Sequence, residues 1–284
     1  MIVGFSDGNI QQLRTFTHVS PHFHFPASNL LHKKVTLGPP SKREPCHMAR
    51  TSTELYGVIC GRPEIRQYIE DTTSTDHGPL YTWLDKSAAH WLEFDETLQK
   101  IFPLLPILHR LAITGSESGK LGYNRLSYNK FSPSLHRAFD TLYPRLTSLK
   151  LVHVTDIPID ILCDLPPTLT EFILHEPSWD FSGLSRFYKV RQKACQLAGT
   201  GISHLQEVHL DLTKSTDHSC SWELLEYTRK TLRHLEFTPS DSVITGTARE
   251  DIQFDEFERL ESVSVTLPVV LYHEPEMFDH MADN

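Results

Sequence analysis

The stretch from Leu142 to Leu174, LYPRLTSLKLVHVTDIPIDILCDLPPTLTEFIL, contains the pattern L-x-x-L-x-L twice, 23 residues apart, with a proline-punctuated helical segment between the copies. Such a pattern is typical of a strand followed by a returning helix. Neither element buries its apolar side alone, so successive copies stack on one another. The apolar positions of the two copies are Leu146, Leu149 and Leu151, then Leu169, Phe172 and Leu174.

The same pattern recurs on both sides of this stretch. Its middle positions fall at residues 111, 149, 172, 208, 235 and 263, at intervals of 38, 23, 36, 27 and 28. Three intervals lie within the roughly 20 to 29 residues of a leucine-rich repeat, and the two long ones each allow an insertion of about ten residues. The sequence therefore predicts an α/β leucine-rich-repeat solenoid of divergent repeats. Its parallel strands would line the concave side and its helices the convex side.

Helical periodicity precedes most of these strands. We expect helices over 90–102, 183–198, 222–230 and 254–259, and one that begins at Pro133 with Ser132 as its N-cap. Residues 38–64 contain several prolines and glycines and little periodicity, which indicates a loosely packed connector. In the segment 63–75 a further strand is expected, although Thr72 and Ser74 stand where the pattern prefers apolar residues.

Residues 9–37 read NIQQLRTFTHVSPHFHFPASNLLHKKVTL, and apolar spacings of three and four predict a helix from Ile10 to Phe23 and a second around 27–34. The segment resembles the second half of an F-box in the F-box and leucine-rich-repeat families of mushroom-forming fungi (basidiomycetes). The matching features are Val19-Ser20, Phe23, Ala27, Leu30-Leu31 and the basic-Val-x-Leu ending at 33–37. This divides the chain into a partial F-box-like segment (1–37), a connector (38–64) and a repeat domain (65–284).

The resemblance implies a substrate receptor of a cullin-RING ubiquitin ligase. In that family the F-box docks on the adaptor subunit, the repeats hold the target protein, and the receptor has neither catalytic residues nor a cofactor. The positions that match adaptor-binding ones are Leu13, Val19, Phe23, Leu30 and Leu31. The leucine-proline-acidic first half of an F-box does not occur in this sequence, so an orphan leucine-rich-repeat scaffold without ligase docking is the alternative.

The residues that alternate with the buried strand positions define a predicted concave binding face. This face is basic in its first strands and acidic from the third predicted strand onward. We expect it to bind a protein partner with a basic or hydroxyl-rich segment, because charge complementarity sets specificity and association rate. The predicted partner-binding residues are Arg110, Lys150, Glu171, Glu207, His209, Asp211, His234 and Glu236.

Composition excludes several other classes of function. A net charge of −9 without a dense Lys/Arg run argues against a nucleic-acid or membrane surface. Five widely spaced cysteines, never in a C-x-x-C pair, indicate neither a disulfide framework nor a zinc ribbon, and favour a cytoplasmic or nuclear location. We expect no signal peptide and no membrane span, because the N-terminal apolar run is short and no window approaches 18 apolar residues.

Catalytic and metal-binding motifs find no support. The segment 113–120, ITGSESGK, resembles a phosphate-binding loop but has Thr114 in place of glycine and Leu121 where Ser or Thr would ligate magnesium. The histidines at 18, 22, 24 and 32 are interrupted by Pro21 and have no carboxylate or cysteine near them in sequence, so no metal is expected. An enzyme on an α/β fold remains the remote alternative.

Overall fold

A computed structural model describes residues 15, 21–38, 51–75, 91–115, 126–158, 161–162, 165–175, 179–180, 204–211, 219–238 and 254–266. Eight strands form one sheet: β1 (Lys34–Leu37), β2 (Asp71–Thr75), β3 (Arg110–Thr114), β5 (Ser148–Val152), β8 (Glu171–His175), β10 (Glu207–Asp211), β11 (His234–Thr238) and β12 (Ser262–Val265). Two short pairs stand beside it: β4 (Leu126–Ser127) with β6 (Val154–Thr155), and β7 (Ile157–Pro158) with β9 (Trp179–Asp180).

All neighbours in the main sheet are parallel, and the strands follow one another in chain order from β1 to β12. The mixed α/β class and the parallel strands are therefore confirmed. The sheet is open, with β1 and β12 as its two ends among the described strands.

The predicted strand register is also confirmed. One row of directly paired residues crosses the sheet and contains every middle position read from the sequence: Leu111, Leu149, Phe172, Val208, Leu235 and Val263. The row continues through Thr72 of β2 to Val35 of β1, which fixes the register of the two strands that the leucine pattern left unassigned. Five of the six leucines that stand three residues before the middle positions are buried at the turn into the strand (Leu108, Leu146, Leu169, Leu205 and Leu232), and Leu260 before β12 is partly buried.

Burial alternates along the strands and gives the sheet two unlike faces. On β5 and β8 the residues Leu149, Leu151, Phe172 and Leu174 are at most 2% exposed and belong to one hydrophobic core. Their neighbours point to the opposite side, because successive side chains of a strand alternate. We call that opposite side the open face. It carries the strand residues that alternate with the core residues.

The described helices are α1 (Pro21–His32), α2 (Ser52–Gly61), α3 (Trp91–Phe94), α4 (Leu98–Ile101), α5 (Pro133–Leu142) and α6 (Ser219–Thr228). Short 3-10 turns occur at Pro63–Gln67, Phe102–Leu104, Tyr128–Lys130, Tyr143–Arg145 and Phe254–Glu256. Helix α5 begins as predicted, since the Ser132 hydroxyl accepts the N–H of Leu135 at 3.1 Å and Pro133 follows the cap. None of the helices among these described residues is long and apolar enough to cross a membrane.

The predicted helix over 90–102 is divided into α3 and α4. Asp95 causes the division, because its Oδ1 accepts the N–H groups of Thr97 and Leu98, each at 2.7 Å. An aspartate that binds the backbone two and three residues later competes with helix continuation and begins a new helix. Periodicity alone did not reveal this break, since the apolar residues on both sides share one spacing.

Part of the predicted connector is well packed. Helix α2 lies within it and buries Leu55 and Ile59 in the core, so the expectation of loose packing is wrong there. A capping box starts this helix, with Thr51 and Glu54 satisfying each other's backbone N–H groups.

Other predicted helices differ in extent. Residues 21–32 form one helix that contains Pro26, where two helices were expected. The helix expected over 222–230 is α6, which begins at Ser219, and the one expected over 254–259 is a 3-10 turn. The helix predicted over 183–198 lies outside the described residues.

Candidate partner-binding face

The open face brings the predicted partner-binding residues into rows. Arg110, Glu171, Glu207 and His234 share one row of paired residues, in which Ser148 stands between Arg110 and Glu171. In the next row Lys150, His209 and Glu236 follow one another, with Ile173 between the first two. Asp211 lies in a third row by its backbone, and its side chain is outside the described part of the chain.

The basic end of the open face has two cations that make no ion pair with a described residue. Lys34 on β1 is paired with Asp71 on β2, with 3.7 Å between Nζ and Oδ2. Arg110 on β3 is exposed and Lys150 on β5 is half-buried. Neither has a carboxylate within 4.0 Å among the described residues. Net positive charge on this face is therefore located at β3 and β5.

The acidic end is built around His209. Its Nε2 is 2.7 Å from Oε1 of Glu207, and its Nδ1 is 2.7 Å from Oε2 of Glu236 on the neighbouring strand. A neutral imidazole has only one N–H to donate, so both contacts are hydrogen bonds only when the ring carries a second proton. Glu171, on the other side of Glu207, completes what we call the acidic cluster: Glu171, Glu207, His209 and Glu236.

Three members of the acidic cluster could hold a metal ion. Glu171, Glu207 and His209 each offer one ligand atom, and these atoms lie within 4.8 Å of one another. Two ligands of one tetrahedral zinc ion, bonded at about 2.0–2.1 Å, stand about 3.3 Å apart. The 2.7 Å contact between His209 and Glu207 is shorter than that and has the length of a hydrogen bond. A metal would therefore require these side chains to move.

His234 lies at the margin of this region. Its Nδ1 is 2.9 Å from the hydroxyl of Ser262, and its Nε2 is 3.9 Å from a carboxylate oxygen of Glu261. These contacts direct His234 toward β12 and away from the acidic cluster. Of the predicted partner-binding residues with described side chains, His234 is the one that belongs neither to the basic end of the face nor to the acidic cluster.

The predicted adaptor-binding residues are only partly described. Leu30 and Leu31 lie next to each other near the end of α1, and both are half-buried. Phe23 belongs to the same helix by its backbone, while its side chain, together with Leu13 and Val19, is outside the described residues. The structure thus brings together two of the five positions.

Apart from the open face, Glu93, Ser127 and Asp156 form a group of polar contacts that is partly inside the molecule. The carboxylate of Glu93, 6% exposed, accepts the N–H of Ser127 at 3.4 Å and is 3.9 Å from Nζ of Lys130. The Ser127 hydroxyl donates to Oδ2 of Asp156 at 2.6 Å. These contacts join separate segments of the fold, because they connect β4 with α3 and with the segment between β6 and β7.

The sequence predicted each member of the acidic cluster as a partner-binding residue, but it did not predict that these side chains contact one another. Residues 171, 207 and 209 flank the middle positions 172 and 208, so the predicted register already placed them on neighbouring strands. That signal was sufficient to predict proximity. The two-sided contact of His209 additionally depends on its side-chain orientation, which the register does not fix.

Comparison with known proteins adds little. No family model matches the chain, and no curated protein matches its sequence. A crystal structure of a protein from Bacteroides fragilis, solved as a structural-genomics target, superposes with a TM-score of 0.42 and 14% sequence identity, covering 93% of this chain and 68% of that one. Neither fold nor function is inferred from a likeness at this level.

Proposed function

We propose that this chain is a non-catalytic protein-binding module, a divergent leucine-rich-repeat solenoid that resembles the fungal substrate receptors of cullin-RING ubiquitin ligases. In this proposal the repeats hold a target protein on the open face, and the F-box-like segment docks on the ligase adaptor. No cofactor takes part.

The order of the strands supports the solenoid. The strands of the main sheet follow one another in chain order, each parallel to its neighbours, and one row of residues, apolar except for Thr72, repeats from strand to strand. A doubly wound α/β enzyme sheet instead reverses its strand order, and its ligand site lies at the reversal. The described strands contain no such reversal.

The observation that carries the binding function is the open face itself. Apart from Ser148, its side chains on β3, β5, β8, β10 and β11 that the structure describes are half-buried or exposed, while the opposite face of the same strands is buried. The predicted charged residues occupy adjacent rows on it. A broad, rigid, charged surface suits recognition of another macromolecule better than a small-molecule reaction, which requires a concave pocket.

Affinity capture with charge-reversed variants tests this function. The tagged chain would be compared with Glu207→Lys/Glu236→Lys by quantitative mass spectrometry of the proteins that each retains from a cell extract. The matched control, Glu64→Lys/Glu258→Lys, changes the net charge equally at exposed residues outside the strands. We expect a set of proteins that the control retains and the open-face variant loses. An identical set for all three proteins would refute the open face as the binding surface.

The alternative is an orphan scaffold with the same open face and no ligase docking. A pull-down with the purified ligase adaptor separates the two, using this chain beside a version that has a complete F-box first half attached. Binding by this chain, reduced by Leu30→Ala/Leu31→Ala, supports the receptor. Binding by the extended version alone indicates that these residues do not suffice for docking, and absence of binding by both favours the scaffold.

A further inference from the structure

We propose that the partner of the open face presents its charges in two separate blocks, with acidic side chains over β3 and β5 and basic side chains over β8, β10 and β11. This proposal rests on the proposed function, because it specifies the chemistry of the partner that the open face would hold. The occupant is a protein segment, and the two charge blocks are its recognition feature.

The basic block of the face begins at β3. Lys34 and Asp71 neutralise each other at the start of the sheet, with 3.7 Å between their charged atoms. Arg110 and Lys150 make no ion pair with any described carboxylate. A partner carboxylate placed over β3 and β5 would therefore meet two cations that no described carboxylate neutralises.

The acidic block lies two to four strands further along. Glu171 and Glu207 are directly paired positions on β8 and β10, where like charges repel. Glu207 and Glu236 both contact His209, and the ligand atoms of Glu171, Glu207 and His209 lie within 4.8 Å of one another, so three carboxylates surround one imidazole. Even a protonated His209 leaves a net negative charge of two on the acidic cluster. A lysine or arginine of the partner relieves this excess.

The strand spacing sets the distance between the partner's blocks. Neighbouring strands are about 4.8 Å apart, so Lys150 on β5 and Glu207 on β10 are about 10 Å apart across the sheet, and Arg110 on β3 and Glu207 about 14 Å. A helical partner covers 10 to 14 Å in about seven to nine residues, and an extended one in about three or four. A uniformly basic segment would be repelled at β3 and β5, and a uniformly acidic one at the acidic cluster.

Synthetic peptides of equal composition provide the test. The block peptide has four glutamates and four lysines separated by a short Gly-Ser linker, and the alternating peptide contains the same residues in Glu-Lys order. Binding of each labelled peptide to the full chain would be measured by fluorescence anisotropy at low and at high salt. We expect the block peptide to bind about tenfold more tightly than the alternating one, with the difference lost at high salt, where charges are screened.

Charge-swapped variants locate the two blocks. Arg110→Glu/Lys150→Glu and Glu171→Lys/Glu207→Lys should each weaken binding of the block peptide. The quadruple variant, which exchanges the two halves at unchanged net charge, should restore binding with the peptide in the reverse direction. The control Glu64→Lys/Glu258→Lys should leave it unchanged. Because every substitution is at an exposed or half-buried position, far-ultraviolet circular dichroism should be the same for all variants.

Several results would overturn the two-block partner. Equal affinity for block and alternating peptides is one, and failure of the quadruple variant to recover binding is another.

If an all-lysine peptide binds as tightly as the block peptide and its binding depends only on Glu171 and Glu207, the open face remains a binding surface but its partner is simply basic. Stoichiometric binding of zinc alone, abolished by His209→Ala and competitive with the block peptide, would assign the acidic cluster to a metal. If Glu207→Lys/Glu236→Lys also retained the same proteins from cell extract as the unchanged chain, the proposed function itself would be refuted.

Discussion

At the scale of single residues, Gly115 shows how closely the chain packs where it leaves β3. A Cβ at this position would lie 2.5 Å from the carbonyl oxygen of His153 and 2.9 Å from Cβ of Leu126. The His153 backbone cannot easily withdraw, because its N–H donates to the oxygen of His175 at 3.0 Å and its φ is 52°. We expect Gly115→Ala to lower the free energy of unfolding by about 1 to 3 kcal/mol, measured by urea denaturation.

Gly57 is the matched control for that substitution. It lies within α2, and a Cβ there would have no atom within 4 Å. Because alanine is favoured over glycine inside a helix, Gly57→Ala should raise the free energy of unfolding by about 0.5 to 1 kcal/mol. Opposite signs for the two variants are the expected result. A comparable loss in both would show that the packing around Gly115 is not the cause.

The β2 strand contains two polar side chains in the core. Thr72 and Ser74 are at most 1% exposed, and neither hydroxyl has a hydrogen-bond partner among the described residues. A buried hydroxyl without a partner costs about 1 to 3 kcal/mol, and valine has nearly the shape of threonine. Thr72→Val should therefore raise the thermal unfolding midpoint. Thr73→Val, on the open face of the same strand, is the control and should change it little. A lower midpoint for Thr72→Val would mean that the hydroxyl is satisfied in solution.

His136 should make stability depend on pH. Burial beside Tyr128 and Phe131 lowers the pKa of His136. The carboxylate of Asp140 and a backbone hydrogen bond with Tyr128 raise it, but by less. As pH falls through the ordinary value of 6.5, the unfolded chain takes up this proton before the folded one. The stabilisation that neutral His136 gives to the folded chain is therefore complete above that pH. It decreases as the pH falls from there to the pKa of His136 in the folded chain.

Thermal unfolding at a series of pH values tests this linkage. Between pH values of about 7.5 and 5.5, the unfolding midpoint of the wild type should decrease more than that of His136→Phe, which keeps a ring in the aromatic cluster and cannot titrate. Parallel curves for the two proteins would contradict the assigned effect. The difference between the two midpoints should shift in favour of the variant as the pH falls, because the variant lacks one group whose protonation favours the unfolded chain.

At the scale of secondary-structure elements, the strands were predictable because their signal is redundant. The strands β3, β5, β8, β10 and β11 each have a buried leucine before them and two buried apolar residues that alternate within them, so one weak position does not remove the pattern. The helices lack such redundancy. Asp95 divides a continuous apolar periodicity by binding two backbone N–H groups, and α2 contains Gly57 and ends at Gly61, which lower its helical propensity.

The capping box of α2 compensates for those glycines. The Thr51 hydroxyl accepts the N–H of Glu54 at 3.2 Å, and the Glu54 carboxylate accepts the N–H of Thr51 at 3.0 Å. Thr51→Ala should lower the free energy of unfolding by about 1 kcal/mol, measured by chemical denaturation. Thr53→Ala, an exposed position inside the same helix, is the control and should be neutral or slightly stabilising. Equal losses in the two variants would argue against the cap.

At the scale of the whole molecule, the sequence predicted which charges share the open face but not how they interact. The two-residue period of a strand fixes the face, and the repeat interval fixes the neighbouring strand, so Arg110, Lys150 and Glu207 were assigned to this face correctly. The contacts of His209 with two carboxylates depend on side-chain rotamers on the two neighbouring strands β10 and β11. Local sequence carries no signal for such an arrangement.

Position within the sheet should decide how much each strand contributes to stability. Val208 on β10 and Val263 on β12 occupy the same row of paired residues, and both stand at core-facing positions. Val208 is fully buried between neighbouring strands, whereas Val263, at the end of the sheet, is 40% exposed. One substitution at the two sites therefore compares the interior of the sheet with its end.

We expect Val208→Ala to lower the free energy of unfolding by about 1.5 to 3 kcal/mol, because two buried methyl groups are removed and a cavity remains. Val263→Ala should cost less than about 1 kcal/mol, since part of its side chain already contacts water. Urea denaturation at two protein concentrations measures both values. An equally large loss at Val263 that grows with protein concentration would mean that a second copy of the chain covers β12 in solution. The same loss without concentration dependence would mean that the end strand is as well packed as the interior.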